Sequence, residues 1–249
     1  MDWKQEYADK LMAPEDAARL VQSGDKVWIG MFTSTPETLS QALYARHAEL
    51  RDVEIHAYVA PFVWSTPEAK DAFRLVSAFT TPADRQQVHM GLADYFPLGN
   101  FRQSYIKEAF GHFDKAIVKT SPPDANGFMS FGSALWANRT ACDVAREIIC
   151  EVDERLIRTY GENYLHISEV TAMAEHRVGD DREPIIPPRS DEVIAATEVI
   201  CTVLADELIN DGDTLQIGIG DVTAALAVYL GGKHDLGIQT ELIPGGVMD

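Results

Sequence analysis

Short apolar and β-branched runs alternate along the chain with segments whose apolar positions recur at helical spacing. A strand covered on both faces is a near-continuous apolar run, whereas an amphipathic helix repeats with a period near 3.6. Their alternation predicts βα units and an α/β fold, a doubly wound and mostly parallel sheet. The expected strands are Lys26 to Gly30, Val53 to Val59, Ala116 to Lys119, Ile148 to Val152 and Leu215 to Gly218. Thr35-Pro36, Thr66-Pro67 and Thr81-Pro82 mark helix starts, since Thr accepts from an orphan N–H and Pro suits a first-turn position that needs no donor. Helices are expected over about Pro36 to Glu49 and Pro82 to Met90.

The pattern breaks between Val178 and Asp191, where prolines and charges suit neither a helix interior nor a central strand. This stretch reads as a linker, dividing the chain into a domain over 1–177, a linker over 178–191 and a second unit over 192–249. Asp191 is placed to cap a helix reaching Leu208, with Val193, Ile194, Ala196, Ile200, Val203, Leu204 and Leu208 at helical spacing. The second unit echoes the first. Ser23-Gly24-Asp25-Lys26-Val27-Trp28-Ile29-Gly30 compares with Asp211-Gly212-Asp213-Thr214-Leu215-Gln216-Ile217-Gly218, and Arg51-Asp52-Val53-Glu54-Ile55 with His234-Asp235-Leu236-Gly237-Ile238. Two related α/β domains give such a repeat, and the second copy holds only its opening elements. An unfinished sheet of this kind exposes apolar surface, so obligate association is expected, with on the order of a hundred residues supplied by another subunit or a longer parent chain.

Composition narrows the function. The 249 residues are 46% hydrophobic, enough for a large core. No apolar run spans a bilayer and the N-terminus lacks signal-peptide character, which points to a cytoplasmic protein with no membrane partner. The net charge of −18, with no basic block, disfavours nucleic acid but leaves room for local phosphate binding by backbone N–H groups. Cys142, Cys150 and Cys201 show no C-x-x-C pairing and read as reduced core residues. The seven histidines show no ligand spacing, so no metal site is expected, and Gly179 to Glu183 lacks the alternation of a calcium loop. Trp28, Trp64 and Trp136 read as core or interface aromatics.

Two segments carry candidate chemistry. Leu215 to Val222 puts Gly218 and Gly220 where a strand gives way to a helix, the edge at which α/β sheets bind ligands. Backbone there can approach a thioester or pyrophosphate closely, although a tight turn accounts for the glycines equally well, and Thr223 stands where a dinucleotide fingerprint needs its third glycine. Glu241 lies just past the short strand Leu236 to Thr240; from position alone it is a solvated surface carboxylate or a catalytic one.

Three stretches resemble the acetyl-CoA hydrolase/transferase family of coenzyme A transferases, specifically its N-terminal half. Gly237 to Asp249, GIQTELIPGGVMD, is similar to the family strand whose Glu is the nucleophile. Leu215 to Val222 resembles the segment lining the thioester site, and Ser121 to Phe128 resembles a family Ser-Pro-Pro-Asp turn, supported by His166-Ile167-Ser168-Glu169-Val170. Taken residue by residue, the resemblance implies a Rossmann-like coenzyme A transferase fold, Glu241 as nucleophile, and Gly218, Ile219, Gly220, Asp221 and Val222 as coenzyme A-binding. Acyl-CoA and a small carboxylate would be substrates, with no permanently bound cofactor. Gln239, Asn126 and the Pro244-Gly245 pair depart from the family pattern, and its C-terminal glycine-rich segments do not occur here. Three functions remain open: transfer of coenzyme A through a glutamyl thioester, acyl-CoA hydrolysis, and a non-catalytic coenzyme A-binding or regulatory subunit. Asp124 and Asn126 read as turn chemistry, and His166 as a satisfied structural histidine.

Overall fold

Lys26-Val27-Trp28-Ile29 forms the central strand because both its faces are apolar: Val27 and Ile29 enter one core and Trp28 the other. The computed structural model describes residues 2–59, 62–98, 106–181, 189–218 and 220–243. They form two compact units, Met1–Ile186 and Pro187–Asp249.

In the first unit, α1 (Trp3–Lys10) and α2 (Pro14–Ala18) precede β1 (Lys26–Ile29). Then follow α3 (Glu37–Tyr44), β2 (Val53–Ala57), β3 (Phe73–Ser77), α4 (Pro82–His89), β4 (Ala93–Tyr95), α5 (Ile106–Phe110), β5 (Phe113–Thr120), β6 (Phe128–Ser130), α6 (Asn138–Asp143), β7 (Ala145–Val152), β8 (Tyr164–His166) and β9 (Ala172–Glu175). Seven strands form one parallel sheet in the order β4-β3-β2-β1-β5-β7-β9, with β6 and β8 as a separate antiparallel pair. The order reverses between β1 and β5, so this is the doubly wound α/β sheet that the strand runs predict. Leu39, Leu43, Trp64 and Phe73 fill one core. In the other, Trp28 packs edge-on to Tyr58 at 5.0 Å and tilted to Phe113 at 5.6 Å, pairs each worth about 0.5–1.5 kcal/mol beyond their buried area. Cys142, Cys150 and Cys201 are free and buried, as expected.

Several local expectations change. Thr81 caps α4 as predicted, accepting from the Asp84 N–H while the Asp84 carboxylate accepts from Thr81. Thr66-Pro67 starts no helix: Thr66 Oγ1 bonds Tyr44 and Ala69, and the chain turns at once into β3. At Thr35-Pro36 the proline is itself the N-cap of α3, without a side-chain cap bond, and the helix ends at Tyr44, short of Glu49. β3, β4 and β9 are additional strands. β3 and β4 carry Arg74 and Asp94, an exposed cross-strand pair that interrupts the apolar run a buried strand would show.

The second unit contains α7 (Asp191–Val203), running into a π-helical turn over Leu204–Leu208, then β10 (Thr214–Leu215), α8 (Asp221–Tyr229) and β11 (Gly237–Ile238). Ser190, rather than Asp191, caps α7 through the Val193 N–H, because its shorter side chain precedes the first helical residue. Cys201, Ile209 and Leu226 make a small core. Val193, Ile194, Ile200, Val203 and Leu208 of the expected apolar stripe are exposed, since two short strands and two helices offer too little surface to cover them. Among the described residues no helix is long and apolar enough to cross a membrane.

The repeat read in the sequence is a repeat of geometry. Gly24 and Gly212 both have φ +83°, and Asp52 and Asp235 have φ of 55° and 56°. The Gly24 N–H donates to Arg51 O at 2.9 Å and the Gly212 N–H to His234 O at 3.0 Å. Lys26 pairs with Glu54 and Val27 with Ile55; in the same register Thr214 pairs with Gly237 and Leu215 with Ile238.

Candidate functional site

The paired strands β10 and β11 run parallel, so their carboxyl ends emerge together. Beyond the ladder the Gln239 N–H donates to Leu215 O at 3.0 Å. The next bonds come from a side chain: Thr240 Oγ1 accepts from the Ile217 N–H at 2.8 Å and donates to Ile217 O at 2.6 Å. Ile217 is buried, so these bonds also satisfy backbone groups that would otherwise lack water. The clamp fixes one edge at which Gly218 follows Ile217 and Glu241 follows Thr240. A groove there is lined by Thr214, Leu215, Gln216, Gln239 and Thr240.

Glu241 is exposed at this edge. Gly218 is exposed too, and a Cβ placed on it would meet no atom within 4 Å. Gly220 is the N-cap residue of α8 and offers no side chain to the helix. Asp221 opens that helix and pairs with Arg189 at 2.7 Å, a carboxylate favoured where the helix dipole is positive. Val222 packs half-buried against the Cys201 core. Ile219 and the Pro244-Gly245 pair lie outside the described residues. The edge thus gathers Gly218 and Glu241, while Gly220 and Asp221 begin α8 and Val222 belongs to its core. Thr240 went unread as a clamp, although a threonine just before a strand-end carboxylate was the signal for it.

The two copies differ at this edge. By the shared register, Thr240 corresponds to Ala57 and Glu241 to Tyr58. Ala57 and Tyr58 are both buried, and burial pushes the Tyr58 hydroxyl upward from its usual range. Only the second copy presents a carboxylate and a hydroxyl clamp there.

The Ser121 to Phe128 stretch is a stabilised turn. Asp124 Oδ1 accepts from the Asn126 and Phe128 N–H groups at 2.9 and 3.0 Å, and Oδ2 meets Arg158 at 3.2 Å. The backbone donors, with Arg158, hold the Asp124 carboxyl below its usual range. Gly127 has φ +85° and a Cβ there would lie 2.9 Å from His166 Nε2, so only glycine fits. His166 bonds Ser168 Oγ at 2.8 Å and contacts Asn126 O at 3.2 Å, a satisfied structural histidine.

Comparison with known proteins places the chain in a family. Residues 1–205 match the acetyl-CoA hydrolase/transferase N-terminal domain. The 4-hydroxybutyrate coenzyme A transferase of Clostridium kluyveri is 30% identical over 255 residues, covering 100% of this chain and 57% of that protein. The succinyl-CoA:cyclohexane-1-carboxylate CoA transferase of Geobacter metallireducens is 29% identical, covering 99% of this chain and 55% of that one. Among solved structures, RipA from Yersinia pestis superposes with a TM-score of 0.85 at 28% identity, covering 100% of this chain and 60% of its own. The 4-hydroxybutyrate CoA-transferase of Porphyromonas gingivalis gives 0.70 at 27% identity, covering 99% of this chain and 58% of its own. The chain therefore spans about half the length of the curated relatives it matches. On the strength of the domain match, this chain belongs to the acetyl-CoA hydrolase/transferase family and carries its N-terminal domain.

Proposed function

We propose that this chain supplies the nucleophile of a coenzyme A transferase, moving coenzyme A between an acyl-CoA and a small carboxylate through a glutamyl-CoA thioester on Glu241. The observation that carries the reading is the clamped strand edge, where an exposed carboxylate and the open Gly218 emerge together. Family membership and the transferase names of its relatives support the same chemistry.

A glutamate carboxylate is ionised at neutral pH and is a competent nucleophile. Its oxygen attacks the acyl-CoA carbonyl, the C–S bond breaks, and an acyl-glutamyl anhydride and coenzyme A thiolate result. The thiolate attacks the glutamyl carbonyl and releases the first acyl group as its carboxylate, leaving glutamyl-CoA. An acceptor carboxylate then reverses both steps, leaving as the new acyl-CoA and restoring Glu241. Each tetrahedral intermediate carries an oxyanion, and one good backbone donor to it is worth about 10²–10³ in rate. The backbone N–H groups of Gly218 and Gly220 are suited to that task. Coenzyme A enters as substrate, with no resident cofactor in the cycle.

In this reading the site is completed by residues beyond this chain, from a second subunit or the rest of a longer protein. The exposed apolar residues of α7 and the half-length coverage of relatives support it, and the assembly works as an obligate oligomer in the cytoplasm. The test is to incubate the complete assembly with acyl-CoA and examine the Glu241 peptide by mass spectrometry. A coenzyme A adduct on Glu241, with activity abolished in Glu241→Ala, is expected. Absence of the adduct, or full activity in Glu241→Ala, overturns the proposal and leaves a coenzyme A-binding role. Transfer to labelled acetate is expected; release of free thiol in its place makes the enzyme a hydrolase.

A further inference from the structure

A second group of polar side chains lies in the first unit, near the carboxyl ends of β5, β7 and β9. Lys119 is buried and ion-paired with Glu37, the first residue of α3, and lies 3.7 Å from Glu151 and 3.6 Å from Asp153. Arg155 pairs with Asp153 and with both oxygens of Asp181. Four carboxylates thus face two fixed cations, Lys119 and Arg155. Glu37, Glu151 and Asp153 are almost wholly buried, and uncompensated charge at such depth is costly.

His176 is the remaining member, its side chain only 2% exposed. Nδ1 lies 2.6 Å from Glu151 Oε1, and Glu151 is itself held by the Leu39 N–H at 2.8 Å. Nε2 is buried without a hydrogen-bond partner and points at Asp181 Oδ1, 3.3 Å away. A carboxylate on one ring nitrogen is what orients metal-binding histidines, and here the other nitrogen faces Asp181 and, at 3.9 Å, Asp153. Glu37, His176 and Asp181 each offer a donor atom within 4.8 Å of the other two. Bonds of about 2.1 Å to a first-row ion set its donors roughly 3–4 Å apart, a difference half-exposed Asp181 closes by loosening its pairing with Arg155.

We propose that Glu37, His176 and Asp181 bind a divalent transition-metal ion of the zinc or manganese kind, with Glu151 orienting the imidazole. One nitrogen with two carboxylates suits these ions better than calcium. The ion ties the start of α3 to the chain leaving β9, a structural role apart from Glu241.

The experiment strips the full chain with chelator and titrates it with ZnCl₂, MnCl₂ and CaCl₂ separately, by calorimetry and thermal unfolding. One zinc or manganese ion is expected per chain, raising Tm, with calcium much weaker. Asp181→Asn and His176→Gln each weaken binding at least ten-fold, whereas exposed His89→Gln leaves it unchanged. Should His176→Gln fail to fold, Asp181→Asn at its half-exposed position still decides the matter. No zinc or manganese binding, or binding unaffected by Asp181→Asn, overturns the assignment and leaves protons to neutralise the cluster.

Discussion

The Thr240 hydroxyl makes both its bonds to one residue, accepting from the Ile217 N–H at 2.8 Å and donating to the Ile217 carbonyl at 2.6 Å. A side chain thereby continues the pairing of β10 and β11 past the last backbone rung and sets where Glu241 leaves the sheet. On the proposed function, Thr240→Val in the complete assembly lowers kcat on the order of ten- to a hundred-fold, the scale of a small misplacement of a reacting group. KM for acyl-CoA changes less. Thr240→Ser keeps the hydroxyl and most of the rate, so a Ser variant as slow as the Val variant would remove the clamp from the account.

Gly218 gives a cleaner probe of the glycine turn. Its missing Cβ would meet nothing within 4 Å and its φ is not left-handed, so Gly218→Ala leaves Tm within about a degree or two, as for substitutions that disturb no contact. If the backbone there approaches the thioester, the added methyl lowers kcat/KM for acyl-CoA at least ten-fold. Unchanged kinetics would place the thioester elsewhere.

Asp84 gives the first unit a pH dependence. It is buried, and burial raises its folded pKa to about 6 against hydrogen bonds from Thr81 and Ser77. Between the ordinary carboxylate range and pH 6 the folded chain holds a proton that the unfolded chain has lost. Stability contributed by this group is therefore present at low pH and lost as pH rises to about 6, by at most about 3 kcal/mol. Asp84→Asn keeps an acceptor for the cap and removes the charge. Urea unfolding from pH 4 to 7 should show the variant gaining on the parent up to about pH 6 and level above it; parallel curves contradict the assignment.

Gly24 occupies φ +83° with open space around its missing Cβ, so strain there is purely of the backbone. Gly24→Ala costs about 1–2 kcal/mol of unfolding free energy. Gly24→Asn recovers part of it, because Asn tolerates the left-handed region. Equal losses for Ala and Asn would point to a lost contact instead.

The central strands β1, β5 and β7 were legible because burial on both faces leaves unbroken apolar runs such as Val27-Trp28-Ile29 and Ile148-Ile149-Cys150, and β2 because Val53, Ile55 and Ala57 alternate with Glu54 and His56. β3, β4 and β9 were not. Arg74 and Asp94 interrupt the first two with an outward-facing ion pair, and Ala172-Met173-Ala174-Glu175 carries no β-branched residue. At the candidate site, the carboxylate and the glycines were legible as residues in order, while the hydroxyl clamp that relates them was not.

By itself the sequence determined the alternation of strand and helix, the repeated Gly-Asp turns and the family-like motif that contains Glu241. All of these are written in short-range periodicity or in adjacent residues. The tertiary structure decided what depends on contact between distant positions. The Thr240 to Ile217 bonds join residues 23 positions apart, and His176 bonds Thr38 across 138 positions. Ligand spacing in the sequence argued against a metal, yet Glu37, His176 and Asp181 converge because separate crossings of the sheet end at the same edge. Hydrogen bonds and ion pairs of this reach leave no period in the chain, because only the parallel sheet, by aligning its carboxyl ends, brings their partners together.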